Sequence, residues 1–219
     1  MSLEKKEILK CPKCGKENSF RIWDSVNTTE NPEMKRQLIN GEMFRMVCEE
    51  CGAVTNVNYR LLYHDTDRHF MIQYVPDENE ADEVIETFEG LKQMAGDIYG
   101  NYTLRITGSV KSLREKVYIA ECGLDDRIVE IMKLVLCVGL DENGEEHDIE
   151  EMYLEISEAE PVQFAVKLSD GSWGTVPFSR DIYDKLFAAF AEKADHNPNR
   201  YVVNFEWAAE FMRLCSEGK

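Results

Sequence analysis

The sequence contains no long hydrophobic run. Its longest uninterrupted apolar stretch, Leu134 to Leu140, falls far short of the ~20 residues needed to cross a bilayer. The opening Met1 to Glu7 lacks the apolar core of a secretory signal. The chain is therefore expected in the cytoplasm and not at a membrane, where Asn27-Thr28-Thr29 and Asn101-Tyr102-Thr103 mean nothing as glycosylation acceptors. Basic residues are few, with 25 Lys and Arg against 42 Asp and Glu, a net charge of -17. Such a surface repels phosphate backbones and anionic headgroups, which disfavours nucleic acid as a partner. There are only four histidines, and no two stand at the spacing of a helical metalloprotease site. Glycine-rich phosphate-binding and dinucleotide-binding loops are missing, as is any internal repeat. In Asp170-Gly171-Ser172-Trp173-Gly174 the first glycine lies one position too close to Ser172 for a hydrolase elbow. His64 beside Asp65 reads as structural, a strand-end histidine next to a turn. No acid–base constellation emerges, and no residue is assigned as catalytic.

What is present is enough for a packed core: 43% of residues are apolar and 31% charged, which excludes general disorder. The charge is uneven. Residues 1–75 hold 11 basic and 11 acidic residues, while residues 76–219 hold 14 and 31 and carry the whole excess. That step places a boundary near Pro76. The expected organisation is a metal-bearing sheet over 1–76, a helical part over 77–140 and an acidic α/β region over 141–219.

Seven cysteines fall at 11, 14, 48, 51, 122, 137 and 215. In a reducing compartment they are thiols or metal ligands rather than a disulfide framework. Four of them form two pairs, Cys11-Pro12-Lys13-Cys14-Gly15 and Cys48-Glu49-Glu50-Cys51-Gly52. Two residues between thiols let both sulfurs of one turn reach one ion, and the following glycine can adopt the left-handed backbone such a turn needs. Four thiolates close a tetrahedral shell without an open position, which points to one structural Zn2+ held by Cys11, Cys14, Cys48 and Cys51. A rubredoxin-like iron and a dithiol redox pair are the competing readings of the same residues. The segment from Cys14 to Cys48 is longer than in short zinc ribbons and must carry structure of its own. Cys122, Cys137 and Cys215 stand apart from other cysteines in the sequence and carry no recognisable nucleophile signature; Cys137, in an apolar segment, reads as a small core residue.

Periodicity supplies the elements. Phe20 to Trp23 alternates as a strand, Asn31-Pro32 opens a helix to Ile39, and Met43 to Val47 leads as a strand into the second pair. Val57, Tyr59, Leu61 and Tyr63 share a face of one long strand, and Phe70, Ile72 and Tyr74 a face of the returning one. Ala81, Val84, Ile85, Phe88, Leu91 and Ala95 predict a helix over 78–95 behind a capping box at Asp77. Ser112 caps a second helix and Asp125 a third, in a hairpin around Gly123. Residues 141–160 hold ten acidic residues and no Lys or Arg, and read as a solvated face with a turn at Asn143-Gly144. A hairpin around Asp170-Gly171, a helix capped by Ser179, a break at Asn197-Pro198-Asn199 and a last helix from Asn204 complete the chain. The fold class is α+β: an N-terminal zinc-ribbon-like antiparallel sheet with an inserted helix, then helices and an acidic α/β region.

Three segments stand together in this chain: Cys11-Pro12-Lys13-Cys14, Gly41-Glu42-Met43-Phe44 before the second pair, and Leu61-Leu62-Tyr63-His64-Asp65. In that combination the chain resembles the CpXC domain family of uncharacterised bacterial and archaeal proteins. The likeness extends to Gly123-Leu124-Asp125-Asp126-Arg127 and covers about residues 9–135. The second pair departs from the motif, with Glu49 where proline is expected. The resemblance implies the module and no substrate. The expected role is a non-enzymatic protein-interaction or scaffolding module with a protein partner; the sequence carries no signal for oligomeric state. The alternatives are a dithiol redox enzyme, a hydrolase with a dispersed site, and a nucleic-acid-linked zinc ribbon stacking bases on Trp23 and Phe44.

Overall fold

A computed structural model describes residues 1–142, 149–155, 162–197 and 200–218. The expected turn at Asn143-Gly144 and part of the break at 197–199 lie outside them. The fold is α+β, as the sequence predicts, and divides into two compact units, Met1–Arg114 and Glu115–Lys219.

In the first unit, β1 (Leu3–Lys10) and β2 (Glu17–Asn27) form a long antiparallel hairpin closed at Lys10 opposite Glu17. The helix α1 (Pro32–Ile39) follows, started by proline at its first position and burying Met34 and Leu38. A 3-10 turn at Glu42–Phe44 leads into β3 (Arg45–Val47), which pairs antiparallel with β4 (Val54–Asn56). The strand β5 (Leu61–Asp65) then runs parallel to β2 and antiparallel to β6 (Phe70–Tyr74). A second crossover holds α2 (Ala81–Met94) and the short α3 (Gly96–Tyr99), and places β7 (Thr103–Thr107) parallel to β6. The main sheet therefore has the order β1-β2-β5-β6-β7 and mixes both pairings. The two parallel joins are the two that carry helices, because a parallel neighbour requires a crossover. All five residues of β6 are buried, so this inner strand is covered on both faces.

The expected long strand from Val57 to Tyr63 is a strand only from Leu61 on: β4 ends at Asn56, and residues 57–60 are an irregular link to β5. The reason is topological: β4 must stay beside β3 to close the second cysteine hairpin, whereas β5 belongs to the main sheet. Tyr59 still points inward, and its hydroxyl donates to the Met43 carbonyl at 2.9 Å. Trp23 and Phe44 are 6% and 2% exposed, which removes them as base-stacking residues. Phe44 packs instead against the rings of Tyr59 and Tyr74.

The second unit starts within α4 (Val110–Glu121), which Gly123, at φ 63°, separates from α5 (Asp126–Glu142). The meander β8 (Ile149–Glu155), β9 (Gln163–Leu168) and β10 (Trp173–Pro177) follows, then α6 (Arg180–Asp195) and α7 (Phe205–Ser216). Ser179 and Asn204 cap α6 and α7 through the amides of Ile182 and Trp207, as their positions predict. The predicted Ser112 cap is misplaced: Ser109 accepts from the Ser112 amide at 3.0 Å. Glu115, the other half of that supposed box, is buried and accepts from the Leu154 amide at 2.7 Å. It belongs to a buried ionic network with Lys116, Asp126, Glu130 and Lys133. Ile128, Ile131, Met132, Leu154, Phe164, Trp207 and Ala208 belong to the apolar core of the same unit. Among the described residues, no helix is long and apolar enough to cross a membrane.

Candidate metal centre

Each cysteine pair occupies the tip of an antiparallel hairpin, and the two tips are built alike. The first loop runs from 11 to 16 between β1 and β2, the second from 48 to 53 between β3 and β4. In the first, the Cys11 amide donates to the Lys16 carbonyl at 2.8 Å and the Gly15 amide to the Cys11 carbonyl at 2.9 Å. In the second, the Cys48 amide donates to the Ala53 carbonyl and the Gly52 amide to the Cys48 carbonyl, both at 2.9 Å. Gly15 and Gly52 sit at φ 75° and 67°. An added Cβ would meet nothing within 4 Å at either position, so backbone conformation, not crowding, requires glycine.

These tips bring the four cysteines together. Cys11 Sγ lies 3.7 Å from Cys51 Sγ, and Cys14 Sγ lies 3.5 Å from Cys48 Sγ. All four sulfurs are within 4.8 Å of one another. The sulfurs are free thiols, too far apart for disulfides. A tetrahedral ion with metal–sulfur bonds of about 2.3 Å has sulfur–sulfur edges of about 3.8 Å, so this donor set fits one such ion. Each pair contributes one sulfur to each close contact, and the cluster therefore joins the two hairpins. Cys11 and Cys48 are buried, Cys51 is half-buried and Cys14 is exposed.

The electrostatics repeat the symmetry of the turns. The Cys14 amide, helped by that of Lys13, lowers the Cys11 thiol against the effect of burial. The Cys51 amide, helped by that of Glu50, lowers the Cys48 thiol to about 6, again against burial. Cys14 goes the other way: the Lys16 amide lowers it, but burial and the three neighbouring thiols push it up to about 12. Four thiolates at this spacing cannot all ionise without a compensating cation, which is what a divalent metal supplies when bound.

Sequence reasoning missed one residue at this centre. Asn18 is 4% exposed, lies just inside β2 and reaches both loops. Its Nδ2 donates to the Lys16 carbonyl at 2.8 Å and lies 3.7 Å from Cys48 Sγ, while its Oδ1 accepts from the Glu49 amide at 2.9 Å. Its alternation with Phe20 and Ile22 was the available signal, since it puts a polar residue on the inward side of the strand.

The other chemistry-bearing residues lie elsewhere. Cys122, Cys137 and Cys215 are half-buried and outside the four-sulfur cluster; burial raises the Cys122 thiol. His64 is half-buried, and its Nε2 lies 3.2 Å from the Tyr102 hydroxyl. Burial lowers its pKa, the N-terminal charge adds to that, and Asp65 opposes it. Asp65 itself is buried against Lys35 at 2.8 Å and Arg68 at 3.3 Å. Successive strand residues point to opposite faces, so this adjacent pair does not form a dyad. Among the described residues, the four cysteines are the one group of three or more metal-ligating side chains close enough to share an ion.

Comparison with known proteins agrees with the motifs. No curated protein and no solved structure matches the chain. The family model described as CpXC protein matches residues 9–133, more than half of the chain, and includes both hairpin tips. The chain belongs to the CpXC family.

Proposed function

We propose that Cys11, Cys14, Cys48 and Cys51 hold one structural Zn2+, and that the protein is a cytoplasmic, non-enzymatic interaction or scaffolding module. The observation that carries this reading is the meeting of four sulfurs from two like-built hairpin tips, within 4.8 Å of one another. Four protein ligands complete a tetrahedral shell and leave no position for substrate, which is the mark of a structural rather than a catalytic ion. The setting also favours ligation over dithiol chemistry. Redox pairs of this spacing sit in a thioredoxin-like strand–helix pattern, whereas each pair here turns a hairpin between two strands. The ion would cross-link two hairpins of different sheets and so replace apolar core that the three-residue strands β3 and β4 cannot supply. A protein partner with a basic face suits the acidic excess of residues 76–219, and that excess disfavours nucleic acid and anionic membranes.

Elemental analysis of untreated protein, combined with a free-thiol count before and after chelation, tests the assignment. The expected result is one zinc per chain, with four thiols gaining reactivity once the metal is removed. Iron, or no metal and no change in thiol reactivity, overturns it.

A further inference from the structure

We propose that Asn18 and the backbone amide of Glu49 form a clasp that positions Cys48 for metal binding, and that the departure from proline at position 49 exists to supply its donor. The inference rests on the reading of the four cysteines as metal ligands. It starts from a difference between two otherwise like-built loops. The first has Pro12 after its leading cysteine, and the second has Glu49. Proline has no N–H. At position 49 an N–H is present and used: it donates to Asn18 Oδ1 at 2.9 Å. The equivalent bond at position 12 cannot form.

Asn18 is suited to act on both hairpins at once. Its backbone belongs to β2, one register step past the closing pair of the first hairpin. Its carboxamide ties the first loop through the Lys16 carbonyl and the second through the Glu49 amide. The remaining N–H direction of Nδ2 is aimed at Cys48 Sγ at 3.7 Å. A carboxamide has one acceptor oxygen and two N–H groups, and here each has a partner. With the group 4% exposed, water does not substitute easily for a lost partner. The Glu49 bond also fixes which end of the carboxamide faces the sulfur: with Oδ1 held by an amide donor, Nδ2 must point toward Cys48. An N–H donor favours a thiolate, whereas the reversed carboxamide would present its oxygen to the sulfur and repel it. Asn18 is thus a positioning residue, acting through Cys48, and the Glu49 side chain has no part in it.

The test uses the full chain and two probe metals, Zn2+ in competition with a chromophoric chelator and Co2+ for its sulfur-to-metal charge-transfer band. Asn18→Ala and Glu49→Pro are each expected to weaken Zn2+ binding 10- to 100-fold, the usual effect of removing a partner of a metal ligand. Both are expected to shift the Co2+ band, and the double variant to be no weaker than the worse single one, because the two changes break one device. Glu49→Ala keeps the amide and is expected to match the parent in both readouts. Asn18→Asp keeps the acceptor but replaces the donor with negative charge, and is expected to bind more weakly than Asn18→Ala. Parent protein that binds neither metal overturns the ligand assignment itself. Parent protein that binds while Asn18→Ala retains its affinity within twofold and its Co2+ spectrum overturns the clasp alone. Glu49→Ala weakening binding as much as Glu49→Pro overturns it too, by moving the effect to the side chain.

Discussion

Replacing Cys48 with serine should loosen the two hairpin tips and leave the second unit intact. Cys48 is 2% exposed and its sulfur lies 3.5 Å from that of Cys14, so the substitution opens the shell at a buried corner. Structural zinc in small modules contributes about 10–16 kcal/mol of binding energy. Shared among four ligands, the loss of one is worth about 2.5–4 kcal/mol, or roughly a hundredfold to a thousandfold in affinity. On the zinc reading that energy would hold particular amides closed: those of Cys11, Gly15, Cys48 and Gly52, each bonded within its own loop. Hydrogen exchange measured at 11–16 and 48–53 should therefore accelerate by about the same factor, since opening of these turns no longer has to release a fully bound ion. The helices α5, α6 and α7 enclose their own core and should exchange as in the parent. Loops in the serine variant, or in chelated parent protein, that stay as protected as before would refute a structural role for the ion. The cysteines would then call for a redox explanation.

Lys133→Met should cost about 3–5 kcal/mol in urea-induced unfolding, because it leaves Glu115 and Glu130 buried without this ammonium at 2.7 and 3.1 Å. Adding Glu115→Gln should recover part of that loss, since burial already raises the Glu115 carboxyl and the amide oxygen can still accept from Leu154. Unchanged stability in the single variant would mean that water reaches the network. His64, depressed by burial, should titrate by NMR below the ordinary value of about 6.5, and Asp65→Asn should lower it further by removing the charge that opposes the shift. Its folded pKa lies below the unfolded one, so its contribution to stability is present above about pH 6.5 and is lost as pH falls through the folded value. Gel-shift titrations with DNA and RNA should show no salt-sensitive submicromolar binding; such binding would contradict the argument from charge.

The cysteine loops were legible because their signals are local. Thiol spacing and the following glycine specify a turn, and that turn appears twice with the same hydrogen bonds. Caps at Ser179 and Asn204 and the stripe on α2 were legible for the same reason. Strands lacking alternation between apolar and polar residues were not. The edge strand β1 is exposed on almost every residue, so its sequence resembles a charged tail. In β7 the buried Arg105 interrupts the apolar pattern, although its guanidinium donates to the Leu104 carbonyl. β8 was hidden by its acidic composition; Met152 and Leu154 are its buried residues, with Ile149 partly buried against the same core. Glu115 satisfied a capping rule locally while its partners lay on α5 and β8, far away in sequence. Asn18 shows the same limit at the cysteine cluster: its Oδ1 accepts from an amide 31 residues away.

X-ray absorption at the zinc edge on the untreated protein tests the central claim most directly, because it reads the element and its ligands together. A single shell of four sulfur scatterers at about 2.3 Å, with no nitrogen or oxygen in the first shell, is the predicted result. An iron edge, or a zinc shell that includes nitrogen or oxygen, would contradict a closed structural site built from Cys11, Cys14, Cys48 and Cys51.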